Sequence, residues 1–347
     1  MNILTQAGQA AAPTPTQAGS PHAGSQFRHI GALLLKYNFI VIFFALVIAA
    51  TFLSDNFLTF RNISNLFQQA SIVGIVAVGM TFVILTANID LSVGSMVACG
   101  GMVSALLMAA GIHPVLAVAA ALLTGAVVGG VMGALSAYAK VPSFIVTLAG
   151  LVTIRGVTYL MSDGTPVGGL PHGFAMFGSL EIPIFPGSSL HFPALALIFL
   201  LVCLIAALAL RYTVTGEYIY ATGGNAEAAR LSGLPVRRIV TMVFAISGLL
   251  AALAGVLLTA RLRIGQPTAA QGLELDAIAA VVLGGTSLFG GRGGIVGTVF
   301  AVMLLQVLRN IFNLLGLGSF YQMTITGLII IAAILLNRAI DNRFGRA

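Results

Sequence analysis

Asp90 and Arg155 are ionisable residues in or beside long apolar stretches, where a charged side chain is costly. A charge at such a position commonly marks a solute pathway or a buried ion pair. Asp90 directly precedes an apolar run, so its carboxylate could instead cap a helix, and the sequence favours this cap. Ser92 and Ser95 follow, and such small residues would let that helix pack closely on a neighbour.

Arg155 has to face water, pair with a carboxylate or extend toward the membrane surface. It could reach an aqueous cavity, and a purely structural ion pair is an equal alternative. Glu274 and Asp276, which open a later apolar run, are candidate partners for it or candidate helix caps.

The glycine-rich stretch 283–294, LGGTSLFGGRGG, contains too many glycines for a continuous helix. Thr286 and Ser287 within it could line a passage for a solute. A flexible hairpin tip is the alternative, and the sequence favours neither.

The chain lacks the patterns of common catalytic and metal sites. A nucleotide-binding P-loop requires a lysine after a glycine-rich turn, and neither Lys36 nor Lys140 has that setting. The five histidines are scattered without ligand spacing, and Cys99 and Cys203 lie in apolar runs, as small core residues do. We therefore predict no catalytic residue, no metal and no cofactor in this chain.

The elements that position these residues are expected to be membrane-spanning helices. Hydrophobic residues make up 59% of the chain, charged residues make up 7%, and the mean hydropathy is +1.05. Apolar runs of spanning length recur from end to end, which excludes a soluble globular domain and predicts an all-α polytopic membrane protein. The net charge of +7 is scattered between the runs and is no nucleic-acid signature.

Ten spans are predicted from the apolar runs. The eighth is short for a bilayer and is expected to be broken or re-entrant. The predicted spans are 38–53, 71–87, 91–110, 114–138, 142–161, 193–210, 239–260, 275–289, 295–313 and 320–336.

The distribution of basic residues predicts that both termini face the cytoplasm. With that orientation eleven Lys or Arg residues lie on the inner side and four on the outer side. The loop 162–191 is then periplasmic and the polar segment, residues 211–238, is cytoplasmic. Residues 1–27 have the composition of a disordered cytoplasmic tail, which leaves 28–347 as the transmembrane domain.

The polar segment contains its own helix signals. Asn225 is a good N-cap for a helix over 226–231, and Glu227 lies in the first turn, where the helix dipole favours a carboxylate. A serine–glycine pair ending at Gly233 stops the helix. Because so short a helix is marginal alone in water, it requires packing against this chain or a partner; an ordinary solvated loop helix is the alternative.

Several blocks of the sequence, taken in order, resemble the sugar permeases of bacterial ABC importers, in the ribose/xylose/galactoside group. The resemblance covers nearly the whole chain from Tyr37. Where the family usually has Gly-Gly, this chain has Ala87-Asn88. The blocks are 88–95 (NIDLSVGS), 142–148 (PSFIVTL), 223–233 (GGNAEAARLSG) and 283–293 (LGGTSLFGGRG).

The resemblance implies a homodimer in the lipid of the bacterial inner membrane, with one translocation path. It further implies an ATP-binding subunit with two fused halves, which carries ATP and Mg, and a periplasmic sugar-binding protein. Alternating access, driven by ATP, would move the sugar; ribose is the first expectation, and xylose, galactose and inositols stay open. The implied coupling helix that contacts the ATPase comprises Asn225, Glu227, Ala228, Ala229, Arg230, Ser232 and Gly233.

Two other functions compete with this one. A secondary transporter driven by an ion gradient normally carries several carboxylates within the membrane. Here Asp90, Glu274 and Asp276 are all expected near span ends. A passive channel or scaffold would have no use for the polar segment.

Overall fold

Apolar helices make up most of the chain in the computed structural model, which describes residues 38–183, 191–318, 320–325, 327, 328 and 331. The predicted tail 1–27 and eight of the 17 residues of the predicted span 320–336 lie outside these residues. The helices are α1 (Asn38–Leu53), α2 (Phe60–Leu85), α3 (Val93–Ala109), α4 (Pro114–Ala139), α5 (Ser143–Leu160), α6 (His172–Phe177), α7 (Ala194–Tyr212), α8 (Val214–Gly224), α9 (Ala226–Leu231), α10 (Val236–Leu262), α11 (Leu273–Leu283) and α12 (Ile295–Leu314).

Six of the described helices are long and apolar enough to cross a membrane: α2, α4, α5, α7, α10 and α12. Two shorter apolar helices are Ile40–Leu53 and Val93–Ala109. The chain is therefore a polytopic helical membrane protein, and the count of ten spans stays a prediction. Two short strands, β1 (Glu181–Pro183) in the predicted periplasmic loop and β2 (His191–Pro193) at its end, pair antiparallel.

The eighth predicted span is short, as expected, but it ends earlier than the sequence suggests. Helix α11 has 11 residues, about 16 Å of helix against roughly 30 Å of hydrocarbon. Residues 284–294, which include the last six residues of the predicted span, are not helical, in agreement with the glycine content of this stretch. Gly285 and Gly290 have φ angles of +84° and +80°, which a helix does not contain.

The second span begins at Phe60 instead of the predicted residue 71. Polar residues conceal its first turns from a hydropathy argument. They are satisfied by distant side chains: Asn62 Nδ2 donates to Asn310 Oδ1 at 2.9 Å, and Ser64 Oγ donates to Glu181 Oε1 at 2.9 Å. Tertiary partners thus satisfy two polar side chains in the additional turns.

Helix α10 lies at the centre of the helical body, packed against α2, α3 and α4. Its contact with α4 is made by backbone atoms at glycines. A Cβ on Gly125 would lie 2.3 Å from Gly248 O, and one on Gly129 would lie 2.3 Å from Phe244 O. Such close approach gives two membrane helices extensive van der Waals contact.

The polar segment and residues 162–183 of the predicted periplasmic loop lie at opposite ends of α10. The first turn of α10 continues directly from the polar segment, whereas its last turn meets the loop, since a Cβ on Gly178 would lie 2.2 Å from Ala260 O. Val167 also bridges to Gly265 beyond that end. A helix of 27 residues separates the two by about 40 Å.

Candidate functional site

Asn225 caps α9, which confirms the N-cap predicted from the sequence. Its Oδ1 accepts hydrogen bonds from the amides of Glu227, at 3.1 Å, and Ala228, at 2.9 Å. Such a cap satisfies amides that have no partner within the helix. It holds a helix of six residues that would not persist alone.

The end of α9 also follows the predicted pattern. Gly233 has a φ angle of +86°, and the Leu234 amide donates to Ala229 O at 3.0 Å. The Ser232 amide donates to Ala228 O at 2.9 Å. Ala229 is buried against the protein whereas Leu231 is 74% exposed, so the described residues leave one apolar side chain of the helix largely uncovered.

Glu227 and Arg230 form an exposed ion pair on the free face of α9. Arg230 donates from Nη2 to Glu227 Oε1 at 2.6 Å and from Nε to Oε2 at 3.1 Å. The hydrogen bonds from Arg230 and its positive charge lower the pKa of the Glu227 carboxyl. The same hydrogen bonds and the negative charge of Glu227 raise the pKa of the Arg230 guanidinium. An exposed pair contributes little to folding, so its main effect is to fix both charged groups on the surface.

The polar segment contains a second helix, α8, that the sequence interpretation missed. Thr213 Oγ1 accepts the Gly216 amide at 3.2 Å, and Glu217 lies in the first turn. A threonine before the helix and an acidic residue in its first turn are recognisable N-terminal signals. The segment is therefore two helices joined at Asn225.

Asp90 lies in the interior, 1% exposed, in the non-helical stretch 86–92 that precedes α3. Its Oδ1 accepts from the Ser92 amide at 2.9 Å and the Ser92 hydroxyl at 2.6 Å. Its Oδ2 accepts from Ser247 Oγ at 3.1 Å. The N-cap position belongs to Ser92, so Asp90 satisfies the amide one position before the helix.

Asp90 lies deeper in the helical body than the sequence predicts, since the sequence places it near the end of a span. Ser247 is the twelfth of the 27 residues of α10, so Asp90 lies beside the middle of that helix and not near its end. Irregular backbone at such depth is tolerated only where protein satisfies its polar groups. Ser95 contributes by donating to Leu151 O at 2.8 Å, which ties α3 to α5.

Arg155 binds main-chain carbonyls and not the expected carboxylates. Its Nη1 donates to Pro267 O at 3.0 Å and to Ala269 O at 2.8 Å. Asp276 forms an ion pair with Arg309 instead. Within the described ranges no carboxylate lies at ion-pair distance from Arg155, whose guanidinium is held by the loop between α10 and α11.

Glu274 lies against the first turn of α3. A Cβ on Gly94 would lie 2.1 Å from Glu274 Oε2 and 2.7 Å from Ala270 O. The absence of a side chain at Gly94 therefore leaves space for this carboxylate, a relationship that the two separate sequence blocks do not reveal.

The glycine-rich stretch 284–294 is a tight hairpin. The Ser287 amide donates to Arg292 O at 2.9 Å, and Ser287 Oγ accepts the Phe289 amide at 3.2 Å. Thr286 is 2% exposed, and its hydroxyl has no hydrogen-bond partner among the described residues. The structure thus favours a packed hairpin with Phe289 exposed at its tip.

Cys99 and Cys203 are buried and not joined in a disulfide, as the sequence predicts. Across the described part of the chain, no group of three or more His, Cys, Asp or Glu side chains is placed to hold a metal ion.

Comparison with known proteins agrees with this architecture. Residues 62–334 match the family described as branched-chain amino acid transport system, permease component. The chain is 45% identical to the ribose import permease protein RbsC of Escherichia coli K12, over 88% of this chain and 94% of that one. Identity is also 45% to RbsC of Bacillus subtilis, over 89% and 95%.

The D-allose transport system permease protein AlsC of Escherichia coli K12 is 38% identical, over 88% of this chain and 92% of its own length. No solved structure matches the chain. These matches confirm the resemblance carried by the four sequence blocks. The chain belongs to this family of transport-system permease components and is a multi-pass protein of the bacterial inner membrane.

Proposed function

We propose that the chain is the membrane-spanning subunit of an ATP-driven importer, which moves a monosaccharide into the cell by alternating access. Ribose is the first candidate, because two relatives with 45% identity are named ribose import permeases, whereas the D-allose relative has 38% identity. The assembly contains two copies of this chain around one path.

The observation that carries the proposal is the form of α9. It is capped at both ends, it presents the Glu227–Arg230 pair on its free face, and its Leu231 side chain is 74% exposed. A capped helix with an uncovered apolar side chain and fixed charges is suited to a complementary cleft. We assign that cleft to an ATP-binding subunit with two fused halves, which holds ATP and Mg.

The orientation belongs to the same proposal. With ten spans, as the apolar runs predict, eleven basic residues lie on one side and four on the other, which favours cytoplasmic termini. The polar segment then faces the ATPase, and the loop 162–191, some 40 Å away along α10, faces a periplasmic sugar-binding protein. Movement of α9 by the ATPase would alternate access to the path from the two sides.

Reconstitution in proteoliposomes with the ATPase and the binding protein tests the proposal. We expect ribose uptake that requires ATP, with weaker uptake of allose, xylose and galactose. Uptake that survives ATP depletion but stops with a protonophore would instead identify an ion-gradient transporter. Different sugar preference would revise only the substrate.

A charge reversal tests the docking of α9. Glu227→Lys should prevent co-purification with the ATPase in detergent while leaving membrane insertion intact, because the side chain is exposed and supports little of the fold. Asp163→Lys, an exposed acidic position in the loop at the opposite end of α10, is the matched control and should retain the ATPase. Equal co-purification of both variants would remove α9 from the interface.

A further inference from the structure

Three backbone segments meet at Gly223, near the end of α8. A Cβ on Gly223 would lie 1.8 Å from Leu85 O and 2.7 Å from the Gly291 amide nitrogen. That amide donates a hydrogen bond to Leu85 O at 3.0 Å. A Cβ on Gly290 would in turn lie 2.7 Å from Gly223 O. The contact therefore joins α8, the end of α2 and the glycine hairpin through main-chain atoms.

Each of the two segments that Gly223 touches leads into a helix that begins in the interior. Leu85 continues into residues 86–92, where Asp90 accepts from Ser247 Oγ beside the middle of α10. The hairpin 284–294 continues into α12, where Thr298 Oγ1 lies 2.9 Å from Thr81 Oγ1 of α2. Gly223 is thus in contact with the segments that precede both α3 and α12.

Main-chain contact is suited to transmitting movement. A side chain at the contact could absorb a displacement by changing rotamer, whereas close-packed backbone has no such freedom. Tyr220 adds a second link from α8, because its hydroxyl donates to Gly293 O at 2.9 Å in the same hairpin.

We propose that Gly223 is the positioning residue through which movement of the polar segment shifts the irregular segments that start α3 and α12. This inference rests on the proposed function, since it needs an ATPase that moves the polar segment. Gly223 is buried outside α9, and it acts through its contacts with Leu85 and Gly291.

The adjacent glycine provides a matched control. A Cβ on Gly224 would meet nothing within 4 Å, and Gly224 is exposed while Gly223 is buried. Gly223→Ala and Gly224→Ala therefore make the same chemical change one residue apart. The measurement is the number of ATP molecules hydrolysed per sugar transported, in proteoliposomes with the ATPase and the binding protein.

We expect Gly223→Ala to assemble and hydrolyse ATP, but with an ATP-to-sugar ratio raised about fivefold or more, which is the lower range of coupling between distant sites. Gly224→Ala should keep the wild-type ratio. Tyr220→Phe, which removes only the hydroxyl, should raise the ratio less. A structural defect alone would lower assembly and both rates together, leaving the ratio unchanged.

An unchanged ratio in Gly223→Ala, or an equal rise in Gly224→Ala, would overturn the inference while the importer function stands. If Gly223→Ala does not assemble, Tyr220→Phe decides, and a wild-type ratio in that variant overturns the inference. A wild-type complex that transports sugar without ATP would overturn the proposed function itself, so the two failures are distinguishable.

Discussion

Asp90 and Ser247, 157 residues apart in the chain, are joined by a hydrogen bond of 3.1 Å from the serine hydroxyl to the carboxylate. This bond fastens the irregular stretch before α3 to the middle of α10. With both carboxylate oxygens occupied and the side chain 1% exposed, Asp90 is an anchor for backbone inside the helical body.

Replacing the anchor should destabilise the protein. Asp90→Ala leaves the Ser92 amide, the Ser92 hydroxyl and the Ser247 hydroxyl without their acceptor, at about 1–3 kcal/mol for each buried donor left unpaired. Ser247→Ala removes one donor and keeps the two hydrogen bonds from Ser92, so it should destabilise the protein less than Asp90→Ala does. Thermal unfolding in detergent measures both, and an Asp90→Ala protein as stable as Ser247→Ala would contradict the anchor role.

The glycine contact between α4 and α10 gives a second prediction. Gly129→Ala places a methyl group 2.3 Å from Phe244 O and should destabilise the protein by about 1–3 kcal/mol through overpacking. Gly130→Ala is its neighbour in α4, and its methyl group would lie 3.6 Å from Ala245 Cβ, an ordinary contact. The control should be neutral or slightly stabilising, since alanine favours helix over glycine. Equal melting temperatures for Gly129→Ala and Gly130→Ala would show that α4 and α10 can move apart enough to accept the added methyl group.

Loss of the α9 cap should act locally. Asn225→Ala removes the acceptor for two amides and should weaken α9 by about 0.5–2 kcal/mol, which is the usual contribution of an N-cap. Hydrogen exchange at residues 226–231 should accelerate without a change in the rest of the chain, and ATP-dependent uptake should fall. Asn225→Asp retains an acceptor and should restore protection; if it does not, the cap is not the cause.

The Glu227–Arg230 pair predicts a defined pH dependence. The pKa of Glu227 is below its ordinary value of 4.5 because Arg230 donates to it and carries the opposite charge. Because the pKa of Glu227 is lower in the folded state, the ion pair stabilises α9 fully at pH values above the ordinary pKa. This stabilisation is lost as the pH falls through the lowered pKa of the folded state. Protection of α9 should therefore be constant from neutral pH to about 5. In Glu227→Gln the acid-induced loss of hydrogen-exchange protection in α9 should be absent. A loss of protection near pH 6 in the native chain would contradict a role for the Glu227–Arg230 pair.

Local features of this protein were predictable from the sequence. Runs of apolar residues place α4, α10 and α12 within a few residues of their bounds. Asn225 and Gly233 fix the ends of α9 because capping depends on residues within one turn. Thr213 as N-cap and Glu217 in the first turn are local signals of the same kind for the start of α8.

The tertiary structure alone decided which distant groups meet. Asn310 and Glu181 are the partners of polar side chains in the first turns of α2, and the partners of Arg155 are carbonyls of a loop more than a hundred residues away. The tertiary structure likewise brings Asp90 to Ser247, and Gly223 to Leu85 and Gly291. Hydropathy and capping act along the chain, whereas irregular backbone inside a membrane protein must find its hydrogen-bond partners across it, and only folding determines which residues those are.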